Sequence, residues 1–156
     1  GPNSEARNGK QYDIRSFKVA KFSKGCAGVD VPNIGCVYQL PSYSPIKWDD
    51  PEHTKYDPGW KQEGRWWSGY DNYWAGAKKA CDDIGMSLPD KSKLKSLYKA
   101  GKKDSSLGLP TDGFFWSSSV DGAYAAYVVY FHFNDGGNAN RYMKDSSDLK
   151  VLCVGD

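Results

Sequence analysis

Apolar positions along this chain change their period once, near Pro110. Between Tyr73 and Gly85, the residues Trp74, Ala77, Cys81 and Ile84 recur at steps of three and four, which is one buried face of a helix. Asp71 or Asn72 can cap that helix and Gly85 can end it. Ser87-Leu-Pro-Asp90 opens a second helix, with Leu94, Leu97 and Tyr98 on one face and Gly101 as its natural stop. Beyond Pro110 the pattern predicts strands over 114–116, 125–133, 140–144 and 150–154. Turn formers at Asp121-Gly122, Asn134-Asp-Gly-Gly137 and 145–148 separate them. Helices first and strands afterwards predict an α+β fold with antiparallel β-structure. In 125–133 successive residues face opposite sides, and both alternating sets hold aromatics, so the ligand-facing set stays open. Val128 and Phe131 are expected in the core.

The first sixty residues follow a different rule. Ser16 to Phe22 alternates in part and predicts an edge strand. From Gln39 to Trp67, Pro41, Pro45, Pro51 and Pro58 preclude long helices. Trp48, Trp60, Trp66 and Trp67 carry too much apolar surface for a free linker. A packed loop leading into a strand near Arg65-Trp-Trp67 is expected. Gly1-Pro2 reads as a residual protease site, so a signal or anchor is expected to have preceded Asn3. The reading divides the chain into the scar 1–2, a loop-rich extension 3–63 and a domain 64–156.

Composition narrows the function. Among 156 residues, 21 are basic and 19 acidic, a net charge of +2 that lends nothing to nucleic-acid binding. The densest basic stretch, Lys91 to Lys103, alternates with leucines and reads as the wet face of a helix. No apolar run reaches the length of a membrane span, which leaves a removed N-terminal anchor as the expected link to a membrane. Aromatics make up 15% of the chain, with eleven Tyr and six Trp, enough to serve both a core and a contact face.

Four cysteines point to an oxidising compartment. Cys26 and Cys36 flank a loop of turn formers that a local bridge could close, which would leave Cys81 and Cys153 to join the first helix to the last strand. Three pairings are formally open. The Cys-x-x-Cys or Cys/His clustering of a zinc site is absent.

Chemistry for catalysis is thin, and no enzyme and no cofactor are expected. His53 and His132 are the only histidines, and neither lies beside a nucleophile in a known arrangement. Ser117 to Ser119 lack a nucleophile elbow. Asp82-Asp83 reads as a solvated helix end, and 134–137 as a hairpin turn rather than a phosphate cradle. Asp121, Asp135, Asp145 and Asp148 read as turn residues, so no metal is expected.

Several motifs stand in a telling order: Ala77 to Cys81, Leu88-Pro89, Leu94 and Leu97, Trp116-Ser-Ser118, Ala126-Tyr-Val128, Asp135-Gly136 and Val151-Leu-Cys-Val154. Together they resemble the bacterial branch of the C-type-lectin-like superfamily. That branch includes the C-terminal domains of collagen-like adhesins and variable proteins diversified by retroelements. The resemblance covers about the last ninety residues. It implies a C-type-lectin-like fold of two helices packed on antiparallel β-structure, and a Cys81–Cys153 disulfide. The Glu-Pro-Asn or Gln-Pro-Asp triplet and the Trp-Asn-Asp strand of calcium-dependent sugar binders are missing; Trp48-Asp-Asp50 lies in another region. Formylglycine-generating enzymes share the fold, but the cysteine pair of their active site has no identifiable counterpart here.

Residues 117–142 contain no Lys, Glu, Gln, Met, Trp or Pro. In diversified relatives of this fold the corresponding region is the variable repeat, although turn-rich β-structure uses the same residues. Tyr124, Tyr127, Tyr130, His132, Asn134, Asn138, Asn140 and Tyr142 are the expected ligand contacts, a mixture that resembles an antibody paratope. The expected function is recognition of a protein or glycan ligand by a secreted or surface-held protein of bacterial or phage-related origin. The alternative is the soluble head of a type IV pilin-like subunit with a lectin-like C-terminal domain, working in pilus assembly.

Overall fold

A computed structural model describes residues 25–59 and 70–155. In chain order its elements are β1 (Val29–Val31), β2 (Gly35–Gln39), β3 (Ile46–Lys47) and the single-turn helix α1 (His53–Tyr56). These are followed by β4 (Asp71–Asn72), α2 (Tyr73–Asp83) and α3 (Lys91–Lys103). The strands β5 (Phe114–Val120), β6 (Ala125–Tyr130), β7 (Ala139–Met143) and β8 (Leu152–Val154) complete the chain. The architecture is mixed α+β, with three antiparallel sheets ordered β1-β2-β8, β3-β4 and β5-β6-β7. The expected edge strand at 16–22 and the strand near Arg65-Trp-Trp67 lie outside the described residues.

Both long helices start where side-chain oxygens can take their unpaired N–H groups. Asn72 accepts from the Ala75 amide at 2.9 Å and Asp90 from the Lys93 amide at 2.7 Å. Gly101 does not stop α3, contrary to its composition. The helix runs to Lys103, and a Cβ at Gly101 would sit 3.3 Å from the Leu109 side chain. That glycine lets the returning chain pack close against the helix.

Residues of the N-terminal extension supply two strands of the first sheet: Val37, Tyr38 and Gln39 pair with Val154, Cys153 and Leu152. The loop that follows Gln39 also carries β3 and α1. Two disulfides fasten this arrangement, Cys26–Cys36 within the extension and Cys81–Cys153 from α2 to β8.

Strands β5 and β6 are covered on both sides, whereas β7 is mostly exposed. Phe115, Val129 and Phe131 pack with Leu94, Leu97 and Tyr98 of α3. Trp116, Ala126 and Val128 face the other way, toward Trp74, Ala77 and Cys81 of α2. This double coverage explains why both alternating sets of β6 are apolar. Val128 and Phe131 are buried as expected, as are Trp48, Trp74 and Trp116.

Three strands differ in length from their sequence pattern, and the shortest of them, β8, spans Leu152–Val154 rather than 150–154. β5 continues through Ser117-Ser-Ser119 to Val120 by way of a bulge, between the pairs Trp116↔Val128 and Val120↔Ala126. Ser117 makes the bulge affordable: its Oγ donates to the Tyr127 carbonyl at 2.7 Å and accepts from the Ser119 amide at 3.1 Å. β6 ends at Tyr130 rather than Phe133, because the next amides turn away. Phe131 donates to the Gly113 carbonyl, and the Gly136 amide donates to His132. A Cβ at Gly136 would lie 2.5 Å from the carbonyl oxygens of Tyr130 and His132, so the turn needs glycine.

Candidate binding face

Side chains of β5, β6 and β7, with those of the turn after β6, form a row of rings. Phe114 pairs with Tyr130 across the strands, and their rings stack at 4.4 Å and 16°. Tyr130 stacks on His132 at 5.6 Å, and His132 on Phe133 at 5.2 Å, both within 24° of parallel. Tyr142 closes the other end, tilted 51° against Phe114 at 5.8 Å. Phe133 is 57% exposed, a high value for a ring of its size. Phe114 and Tyr142 of the row pack against the core cluster that contains Trp116 and Val128.

Of the eight expected contacts, the fold brings five to this row or beside it. Tyr130, His132 and Tyr142 are in the row. Asn140 lies opposite Val128, and the Asn138 carbonyl accepts from the Tyr130 amide, which places both beside it. Asn134 is exposed at the adjoining turn, where its amide donates to His132 Nδ1 at 3.2 Å. The same nitrogen stands 2.9 Å from Asp135 Oδ1. It can serve the carboxylate only when it carries a proton and the amide only when it does not. Tyr127 points the other way, under Lys91 of α3 with the ammonium 4.0 Å from its ring. Tyr124 packs 6.3 Å from Trp48. These two tyrosines belong to other surfaces. Phe114 and Phe133 complete the row although neither is among the eight expected contacts; the register that pairs Phe114 with Tyr130 brings in the first.

Behind the β6–β7 hairpin lies a buried polar cluster. Lys144 is 1% exposed, and its Nζ lies 2.9 and 2.8 Å from the Asp57 carboxylate oxygens and 2.8 Å from the Ala123 carbonyl. The ammonium also sits 4.3 Å from the Trp74 ring. Asn72 Nδ2 donates to Asp57 Oδ2 at 2.9 Å and lies 2.7 Å from His53 Nε2, beneath the Trp48 ring. Burial lowers the pKa of Lys144 despite the opposing pull of Asp57, and burial likewise lowers that of His53. With no reachable substrate position at 1–2% side-chain exposure, these groups hold structure.

Clefts of about 310, 400 and 410 Å³ lie away from the aromatic row, and a dent of about 30 Å³ lies beside Phe133, Tyr98 and Pro110. Among the described residues, no group of three or more His, Cys, Asp or Glu side chains is placed to hold a metal ion. No helix among them is long and apolar enough to cross a membrane.

A family described as a domain of unknown function (DUF8780) matches residues 67–155. That span is more than half of the chain, and the chain belongs to this family. It contains α2 through β8, the Cys81–Cys153 bridge and the whole aromatic row, while Cys26, Cys36, His53 and Asp57 precede it. No curated protein matches the chain.

Proposed function

We propose that this DUF8780 member is an extracellular recognition domain that binds its ligand through the aromatic row of Phe114, Tyr130, His132, Phe133 and Tyr142, with Asn138 and Asn140 beside them. The stacked, partly exposed row carries the reading. Tyr and Phe fixed against one another give contact area at little entropic cost, and the neighbouring amides adapt to polar partners. Two disulfides suit an oxidising compartment.

A C-type-lectin-like fold is the architecture that best accounts for the bridge from α2 to the last strand and for the pairing of β2 with β8. The division of labour within 117–142 also suits a diversified display segment. Ser117, Ala126, Val128 and Val129 are buried, while Asn134, Asn138 and Asn140 are exposed. Binding on this reading needs no calcium, since orientation comes from hydroxyls, amides and rings.

The test is a variant with Tyr130→Ser, Phe133→Ser and Tyr142→Ser, compared with wild type for retention of surface proteins from cells of the source environment. The variant should keep its melting temperature and lose the retained partner, and chelator should leave wild-type retention alone. Equal retention by the folded variant, or loss on chelation, would overturn the reading.

A further inference from the structure

We propose that the cleft of about 310 Å³ between α1, the C-terminal half of α2 and the bulge of β5 is a separate binding site for a small organic carboxylate, its anion on Lys78 and its hydrocarbon body on Met86 and Leu88. The site shares no residue with the aromatic row and stands independently of the recognition reading.

Lys78 supplies the charge. Its ammonium lies 4.5 Å from the Trp74 ring. Lys144 reaches the same ring at 4.3 Å, but Asp57 already neutralises it. On the next position of α2, Lys79 pairs with Asp83 one turn on, at 3.0 Å. The corresponding partner of Lys78 is Asp82, whose carboxylate instead accepts the Tyr56 hydroxyl at 2.8 Å. Lys78 is thus half-buried and makes no ion pair among the described residues. Burial holds its pKa below the ordinary 10.5, while the nearby charges of Asp57 and Lys144 pull in opposite directions. Such an ammonium gains from a bound anion.

The rest of the lining sets the kind of anion. Exposed Lys55 adds a second cation, against Asp82 as the one carboxylate, so the cleft carries a single excess positive charge. Met86 and Leu88 are buried and apolar. Ser87 pairs with Val154 through its backbone, and the Ser118 amide donates to the Pro89 carbonyl. Their hydroxyls enter no hydrogen bond among the described residues and are left for a ligand oxygen. One excess charge beside an apolar wall suits a monoanion with a hydrocarbon body better than a doubly charged phosphate. The volume lies at the low end of the roughly 300–1,000 Å³ of ligand sites, so the ligand is small.

The test is an amide NMR titration of the whole protein with benzoate, benzamide, benzylammonium and inorganic phosphate. Benzoate should shift the Lys78, Ser87 and Ser118 amides saturably and bind tightest of the four. Lys78→Met should weaken benzoate by about ten-fold, the scale of one charge-assisted hydrogen bond. Lys55→Met should weaken it by only about two-fold, as an exposed charge does. No saturable shift with benzoate, equal or tighter binding of any other probe, or unchanged affinity in Lys78→Met would overturn the proposal. The variant with Tyr130→Ser, Phe133→Ser and Tyr142→Ser should bind benzoate as wild type does, so the two sites fail separately; a loss there would overturn the independence of this cleft.

Discussion

Lys144 and Asp57, separated by 87 positions in sequence, form a two-pronged ion pair in which each side chain is at most 2% exposed. The pair joins the end of β7 to the residue that follows α1. Asn72 extends it, capping α2 with its oxygen and donating to Asp57 with its nitrogen. One cluster therefore fixes a helix start, a strand end and a loop at once.

Removing one partner should be costly, because the other charge stays buried. Asp57→Ala is expected to lose about 3–5 kcal/mol of unfolding free energy. The double replacement Asp57→Leu with Lys144→Met should recover most of that loss in urea denaturation. A single variant as stable as wild type would show that water reaches the pair.

The pH dependence of stability has a defined sign. Burial holds the folded-state pKa of His53 below its ordinary value of 6.5. As pH falls through that value the unfolded chain takes up a proton that the folded one refuses, so stability present above it is lost on acidification. The variant His53→Gln should flatten the slope of stability against pH just below 6.5. A wild-type slope in this variant would assign the acid loss to carboxylates alone.

Core and face should separate cleanly in mutagenesis. Trp116 and Leu97 are fully buried, and Trp116→Ala or Leu97→Ala should each cost on the order of 3 kcal/mol. Asn138→Ser and Asn140→Ser should stay within about 0.5 kcal/mol of wild type. An unchanged melting temperature in Trp116→Ala would contradict the packing described for β5.

The two bridges should differ in weight. Cys81–Cys153 closes 72 positions and Cys26–Cys36 closes 10. On the chain-entropy account, replacing the first pair should cost about 4 kcal/mol and the second roughly 3, both as ceilings. Non-reducing peptide mapping should recover these two pairs; a fragment joining Cys26 to Cys81 would refute them.

Sequence was most legible where chemistry is local. The capped helix from Tyr73, the turn at 134–137 and the short cysteine loop all follow from neighbours within a dozen positions. Gly101 misled because its composition signals a helix end, whereas its reason for being there is Leu109, eight positions on. Lys144 was not legible at all: a lysine beside Asp145 and two serines reads as surface, and its partner is far away in the chain. The aromatic row was half legible. Composition singled out 117–142, but only the register of β5, β6 and β7 sends Tyr130 and Tyr127 to opposite sides and admits Phe114.

The β7 strand ends its sheet, with β6 on one flank and no further strand beside it among the described residues. Asn138 and Asn140 are exposed, whereas Tyr142 packs against the core cluster of Trp116, Ala126 and Val128. Under the proposed recognition role, a relative could rewrite positions 138 and 140, change its ligand, and leave the buried contacts of the sheet as they were.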